Sequence, residues 1–469
     1  MVRYDAAFEL HPGSDFGENR RRMKTLSALF RFEEYGTSAR TEMLAGLTTF
    51  LTMAYIIFLQ PVVLATDFAG NPTGIDPGAV LLATCVASAI ATAVMALLAR
   101  YPIALAPGMG ENFFFVTVVM SLTGLGVADA WRTALAIVFL SGAAFIVLSL
   151  LRVREAIIDG ISPSMTSGIA AGIGLFITFI GLQKAGVIVD KPGTLVGLNP
   201  EVRTADMAVF GFGLLAMAFL QVRRVRGSIL IGILAAALLA ACLGKAQYRG
   251  IFGMPQIRES AVFQMDFRQA LTLTCLPFIV VFLFMDMFDT VGTLVGVSKQ
   301  AGLLRDGRLP RASQALLSDA IGTVVGASLG TSTVTSFIES VTGVEQGGRT
   351  GLTALTTAAL FLLALFFSPL VAMVGEYAPI TAPALVIVGS LMMRNVAHVD
   401  WDDPSEAIPS FLIIVGIPLC FAISDGLALG FIAYPVIKLF GGRAREVKWP
   451  MYVIGAVLIL YFIFVRSRL

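Results

Sequence analysis

Pro102-Ile103-Ala104-Leu105-Ala106-Pro107-Gly108-Met109-Gly110-Glu111-Asn112-Phe113 and Gly330-Thr331-Ser332-Thr333-Val334-Thr335-Ser336-Phe337-Ile338-Glu339-Ser340 are two stretches of one kind. Each interrupts a short apolar run with Gly, Pro or β-branched residues that disfavour a helix. Each also sets a carboxylate near its middle. Counted among the apolar segments of the chain, they are the third and the tenth, seven apart. Segments five and twelve match at the same offset, one opening on Ile161-Ser162-Pro163 and the other on Ile380-Thr381-Ala382-Pro383. An odd offset makes the second copy enter a bilayer from the opposite side. That is the pattern of an inverted repeat, with a ligand site where two unwound segments meet near the midplane.

The rest of the chain agrees with a membrane reading. It has 469 residues, of which 57% are hydrophobic and only 14% charged, with a mean hydropathy of +0.84. A soluble chain carries about a quarter charged residues. A spanning helix needs about 20 mostly apolar residues, fewer where it is broken. The segments so defined are 44–65, 79–99, 103–121, 131–151, 163–182, 206–221, 228–244, 271–297, 313–329, 333–346, 350–373, 381–393, 408–423 and 426–440. The predicted fold is therefore an all-α polytopic membrane protein of about fourteen transmembrane segments in two inverted seven-segment repeats. One more apolar run, 450–466, either spans or lies along the surface.

Loop charges orient the bundle. Alternate loops carry Arg100; Arg152 and Arg154; Arg223, Arg224 and Arg226; Lys299, Arg305, Arg308 and Arg311; Arg349; Arg394; and Arg443, Arg445 and Lys448. The opposite short loops, 66–78, 330–332 and 374–380, hold no Lys or Arg. Cytoplasmic loops collect the positive charge, and only the longer loops 183–205 and 245–270 depart from this. The amino terminus, polar and with Arg20, Arg21, Arg22 and Lys24 clustered, is expected to be a cytoplasmic tail, residues 1–43, in a protein of the cell (inner) membrane.

Ionisable side chains in hydrocarbon are costly and mark function. Segment eight holds Asp286 and Asp289, three apart and so on one helix face. Segment ten adds Glu339 and Glu345, segment three Glu111 and segment nine Asp319, with no basic residue inside these spans. An acid without a cationic partner in a low dielectric holds a proton more readily than in water, as a proton-coupled carrier requires. The plainer alternative for each is a helix-end acid reaching water, and for Gly108 to Gly110 close helix packing in place of backbone N–H groups facing a ligand. An enzyme would need a nucleophile–base pair or metal ligands at membrane depth. With only His11 and His398, and with Cys85, Cys242, Cys275 and Cys420 scattered singly, neither a metal site nor a disulfide framework nor a cofactor is expected.

These motifs carry a resemblance. Thr41-Glu42-Met43-Leu44-Ala45-Gly46-Leu47-Thr48-Thr49-Phe50 through Tyr55-Ile56, Ala106 to Phe113, Met285-Asp286-Met287-Phe288-Asp289-Thr290-Val291-Gly292-Thr293, Ser318-Asp319-Ala320-Ile321-Gly322 and Gly330 to Gly351 are similar to one branch of the xanthine/uracil (nucleobase–ascorbate) transporters. That branch comprises the adenine/guanine/hypoxanthine permeases, and the likeness runs from about residue 30 to 440.

The resemblance implies import of purine nucleobases by proton symport, with uracil, xanthine or another small solute as the alternative on the same fold. It implies a core domain, 44–151 and 271–373, and a gate domain, 152–270 and 374–440, followed by a C-terminal segment, 441–469. Substrate would be bound by Asp289, Glu339, Ile338, Asn112 and Phe113, with Asp289, Glu339 and Glu111 in proton coupling. Asp286, Asp319, Arg349 and Thr49 would support them. Asp289 stands where uracil-type relatives carry Glu, leaving about one methylene more room, which suits a two-ring base. Glu111 stands where the branch is expected to have an apolar residue. The partners implied are the nucleobase, a proton and the bilayer, with no nucleic acid, and a homodimer is compatible with the reading.

Overall fold

The structure, a computed structural model, describes residues 30–449 except 69, 152–161, 192, 202, 301–302, 304–308 and 422, with a few positions from 451 to 459. The tail before residue 30, the loop positions Arg152, Arg154, Pro192 and Arg305, and most of the run at 450–466 lie outside it.

The first segment is two helices, α1 (Ala39–Met53) and α2 (Tyr55–Ala65), meeting at Ala54, with Pro61 inside the second. Next comes α3 (Pro77–Val94), capped by Asp76, whose side chain accepts from the Ala79 N–H, and ending in a π turn over Met95–Ala99. Segment three is a strand followed by a helix, β1 (Leu105–Pro107) and α4 (Met109–Gly124). Then follow α5 (Ala130–Leu151), α6 (Pro163–Lys184), an exposed hairpin of β2 (Ile188–Lys191) and β3 (Leu195–Leu198), α7 (Ala205–Val222) and α8 (Ser228–Cys242).

The second half repeats the order. It runs α9 (Leu276–Gln300), α10 (Ala312–Leu329), β4 (Val334–Ser336) with α11 (Ser340–Glu345), then α12 (Gly351–Ala364) with α13 (Ser368–Gly375). It closes with α14 (Ala378–Met392), α15 (Pro404–Leu419) and α16 (Ile423–Phe440). The fourteen segments form two inverted repeats of seven. Among the described residues, seven helices are long and apolar enough to cross a bilayer unaided. The others are shorter or broken and sit within the bundle, where neighbours can satisfy their interrupted backbone.

The all-helical expectation gives way at the two unwound segments. β1 and β4 pair antiparallel, with Leu105 opposite Ser336, Ala106 opposite Thr335 and Pro107 opposite Val334. Strands at membrane depth are tolerated because every residue of both is buried, and each strand gives its backbone groups to the other. Segment twelve also differs from expectation. Its helix begins at Ala378 with Pro379 in the first turn, so Pro383 lies inside it and not at its start.

Two packing groups result. In one, α1 and α3 pack on α12, α3 and α5 on α10, and α9 on α5 and β4. In the other, α6 packs on α14 and α15, α15 on α16, and α7 on α8 and α14. Fewer contacts join the groups: α4 with α6 and α16, α8 with α1 and α2, and α14 with α2 and α13. Close approach is written into single glycines: a Cβ added at Gly343 would strike Thr49 Oγ1 and the Ala45 carbonyl, so α11 seats directly on α1.

Candidate functional site

Because β1 and β4 cross, the helices that follow them start side by side. Glu111 falls in the first turn of α4, and Glu339 stands at the N-cap of α11. Helix α9 passes the same crossing and presents Asp289. These three carboxylates line one cavity of about 1210 Å³. Ligand pockets usually hold about 300–1,000 Å³, so this space is a site together with its mouth.

Glu339 accepts a hydrogen bond from the Tyr55 hydroxyl at 2.7 Å, which aims its carboxylate. Its neighbour Ile338 is 51% exposed and projects into the cavity. Asp289 is exposed to the same space. Thr335 on β4 stands 2.8 Å from the hydroxyl of Thr290, the residue after Asp289 on α9. Glu111 is 3% exposed, and its carboxylate folds over Gly108, where an added Cβ would collide with it. Apolar side chains of the other packing group form the facing wall, among them Ile169 and Ile173 of α6 and Val388, Leu391 and Met392 of α14. The mouth carries Arg224, Arg226, Glu345, Arg394 and His398.

Other expected residues lie behind this surface. Asn112 is fully buried and does not line the cavity. Its amide exchanges hydrogen bonds with Gln60 of α2, and Gln60 Nε2 also reaches Thr331 Oγ1 at 2.9 Å and Ser332 Oγ at 3.1 Å. Asn112 thus ties α4 to the entrance of β4. Phe113 turns the other way, into an aromatic cluster with Phe68 (centroids 6.3 Å apart) and Phe176 (6.2 Å). Phe421 closes that cluster edge-on against Phe68, Phe176 and Phe179 at 5.0, 5.3 and 5.7 Å.

Asp286 and Asp319 are wholly buried and outside the cavity. Thr49 is buried under Gly343. Arg349 turns its guanidinium onto the carbonyls of Val344 and Gly348, satisfying the end of α11.

Sequence reasoning passed over Tyr55, Gln60 and Glu42. Tyr55 and Gln60 are polar side chains inside the first apolar segment, which is the signal that could have found them, whereas Glu42 lies just before that segment. Glu42 accepts from the Arg349 and Thr350 N–H groups at 3.0 and 3.2 Å and from the Thr350 and Thr353 hydroxyls at 2.9 and 2.6 Å. It therefore holds the turn that leads into α12, and the Thr350 cap itself, from another helix. Among the described residues no group of three or more His, Cys, Asp or Glu could hold a metal ion.

An inverted-repeat bundle whose two broken segments meet over an acid-lined cavity is the build of a polytopic membrane transporter, in which substrate is held between two movable halves. The chain belongs to the Permease family, matched over residues 40–429. It is 43% identical over 455 residues to the guanine/hypoxanthine permease PbuG of Bacillus subtilis, covering 94% of this chain and 100% of that one. It is 40% identical over 445 residues to the adenine permease AdeP of Escherichia coli, covering 94% and 97%. Among solved structures, the transmembrane domain of the cyanobacterial bicarbonate transporter BicA superposes with a TM-score of 0.62. That match has 17% identity and covers 83% of this chain and 96% of that one, so it speaks for the fold alone. The protein is an integral membrane transporter and not an enzyme.

Proposed function

We infer that this protein is a secondary active transporter that imports purine nucleobases, adenine, guanine or hypoxanthine, by proton symport. The observation that carries the reading is the convergence of Asp289 and Glu339 on one cavity whose opposite wall is apolar. A purine is flat and apolar on its faces, with N–H donors on its edge. Carboxylates accept those N–H groups, and the aliphatic side chains of α6 and α14 suit the ring faces. The names of the relatives, guanine/hypoxanthine and adenine permeases, support the same substrate class.

In this reading Glu339 is the principal base acceptor, held ready by Tyr55, and Ile338 contacts the ring. Asp289 binds substrate and takes the coupled proton, with Glu111 beside it. The first packing group is the core domain that holds the substrate, and the second is the gate that slides against it. The cavity mouth, with Arg224, Arg226 and Arg394, faces the cytoplasm, which makes this conformation inward-open in the inner membrane. The aromatic cluster of Phe68, Phe113, Phe176, Phe179 and Phe421 then closes the outer path. Competition of unlabelled purines and pyrimidines against labelled hypoxanthine in membrane vesicles tests the substrate class. Purines should compete and uracil should not. Competition by uracil alone would reject the reading.

A further inference from the structure

Where α3 ends and α10 begins there is a second, smaller cavity of about 400 Å³, separate from the acid-lined site. Three arginines line it: Arg31 from the segment before α1, Arg100 after the π turn of α3, and Arg311 at the N-cap of α10. Basic residues at the ends of spanning helices mark the inner face of a membrane protein and ordinarily need no other account. The backbone at these three does. Among the described residues eight that are not glycine have a positive φ, and three of them are Arg31 (54°), Arg100 (57°) and Arg311 (58°). Gly or Asn takes this left-handed conformation more readily than Arg does. At three separate helix ends the chain therefore keeps a strained backbone carrying a guanidinium, and the three meet in one space. Strain of this kind collects at ligand clamps.

The π turn adds a second irregularity. The Arg100 N–H closes it on the Met95 carbonyl at 2.9 Å, and π turns in helices recur at functional sites. Arg311 lies over the Tyr101 ring, its guanidinium carbon 5.1 Å from the centroid. Stacking uses the face of a guanidinium and leaves its N–H edge to meet oxygen. Arg31 is offset by Glu34 at 3.2 Å. Among the described residues no ion pair joins Arg100 or Arg311 to a carboxylate, so the cavity is positive. Its rim is apolar: Leu97 and Leu98, on the π turn, are 56% and 41% exposed.

We propose that Arg31, Arg100 and Arg311 form a binding site for a phosphate group, a site that the transport reading does not use. A guanidinium presents paired N–H donors that match two phosphate oxygens, and basic pockets at the ends of spanning helices take anionic headgroups. The exposed leucines favour the phosphate of an anionic phospholipid, whose acyl chains would lie over Leu97 and Leu98. Free phosphate offers the same oxygens without the tail.

Labelling with phenylglyoxal, read by peptide mass spectrometry, reports each guanidinium separately in the intact protein, washed free of lipid in a nonionic detergent. Phosphatidylglycerol should slow the labelling of Arg100 and Arg311 roughly tenfold. Arg40, exposed on α1 and outside the cavity, should react as before. Phosphatidylcholine, whose headgroup carries its own cation, should protect none of them. Inorganic phosphate separates the sources. Protection by phosphatidylglycerol alone assigns a lipid, equal protection by inorganic phosphate assigns the free anion, and either result supports the site. Arg311→Gln should weaken the protection of Arg100 several-fold, because the two hold one ligand. Absence of protection by both phosphate sources overturns the proposal. So does equal protection by phosphatidylcholine, equal protection of Arg40, or an Arg100 indifferent to Arg311→Gln. If that variant fails to fold, the labelling of the parent protein alone decides.

Discussion

Glu339 and Asp289 reach one cavity from different elements, and their surroundings separate their roles. Glu339 is fixed by Tyr55 at a helix N-terminus, whereas Asp289 sits midway along a continuous helix and meets open space. Removing a charged acceptor from a bound N–H group costs about 1.5–3 kcal/mol, roughly tenfold to over a hundredfold in affinity. Glu339→Gln should therefore reduce purine binding, read by calorimetry on purified protein, by at least that factor. Tyr55→Phe removes only the neutral hydroxyl, worth about 0.5–1.5 kcal/mol, and should weaken binding a few-fold to about tenfold. Asp289→Asn mimics the protonated acid. It should retain exchange of substrate across vesicles but lose accumulation driven by a pH gradient. Undiminished, normally pH-dependent accumulation in that variant would move the coupled proton to Glu111. The acids themselves were legible in the sequence, because a carboxylate inside an apolar span stands out. Their partners were harder to see. Gln60 and Asn112 satisfy each other across 52 residues, a pairing that the packing of α2 on α4 creates.

The elements most at variance with a simple hydropathy reading are the broken ones. Gly, Pro and β-branched residues marked segments three and ten as unwound, and the structure places a strand in each. Their mutual pairing could not be read from either stretch alone, since it depends on the two repeats facing each other. The same limit applies to Glu42, whose work is done on α12 more than 300 residues away. Glu42→Ala leaves the Arg349 and Thr350 N–H groups just before α12, and the buried Thr350 hydroxyl, without that acceptor. Losing hydrogen bonds to a charged group should cost about 1.5–3 kcal/mol, seen as a lower unfolding temperature in detergent. The aromatic cluster makes a separate prediction. Phe421→Ala should open the path beside Phe68, so that a cysteine at Thr342 in the cavity reacts faster with an impermeant reagent added from that face. An unchanged rate would mean that other contacts close this side.

Across the whole molecule the odd offset between matching segments sets the inverted symmetry, and the proposed orientation rests on the positive loops. Leu195, 83% exposed on the β2–β3 hairpin, should be labelled from outside intact cells when replaced by cysteine. A cysteine at Arg224, on the mouth of the cavity, should react only after the cells are opened. The reverse pattern would turn the cavity outward and remove the inward-open assignment. The sequence motifs reached as far as the class of carrier because each lies on a segment that touches the β1–β4 crossing. The packing of α6 on α14 and α15, and of α15 on α16, was not legible there, since it comes from ordinary apolar faces without distinctive residues. The central claim, proton-driven purine import, is tested most directly by uptake of labelled hypoxanthine, guanine and adenine into vesicles carrying the protein. With the outside acid, at least one purine should accumulate above its external concentration, and a protonophore should abolish the accumulation. Uptake that follows a Na⁺ gradient and ignores the protonophore, or that accepts uracil and no purine, would contradict it.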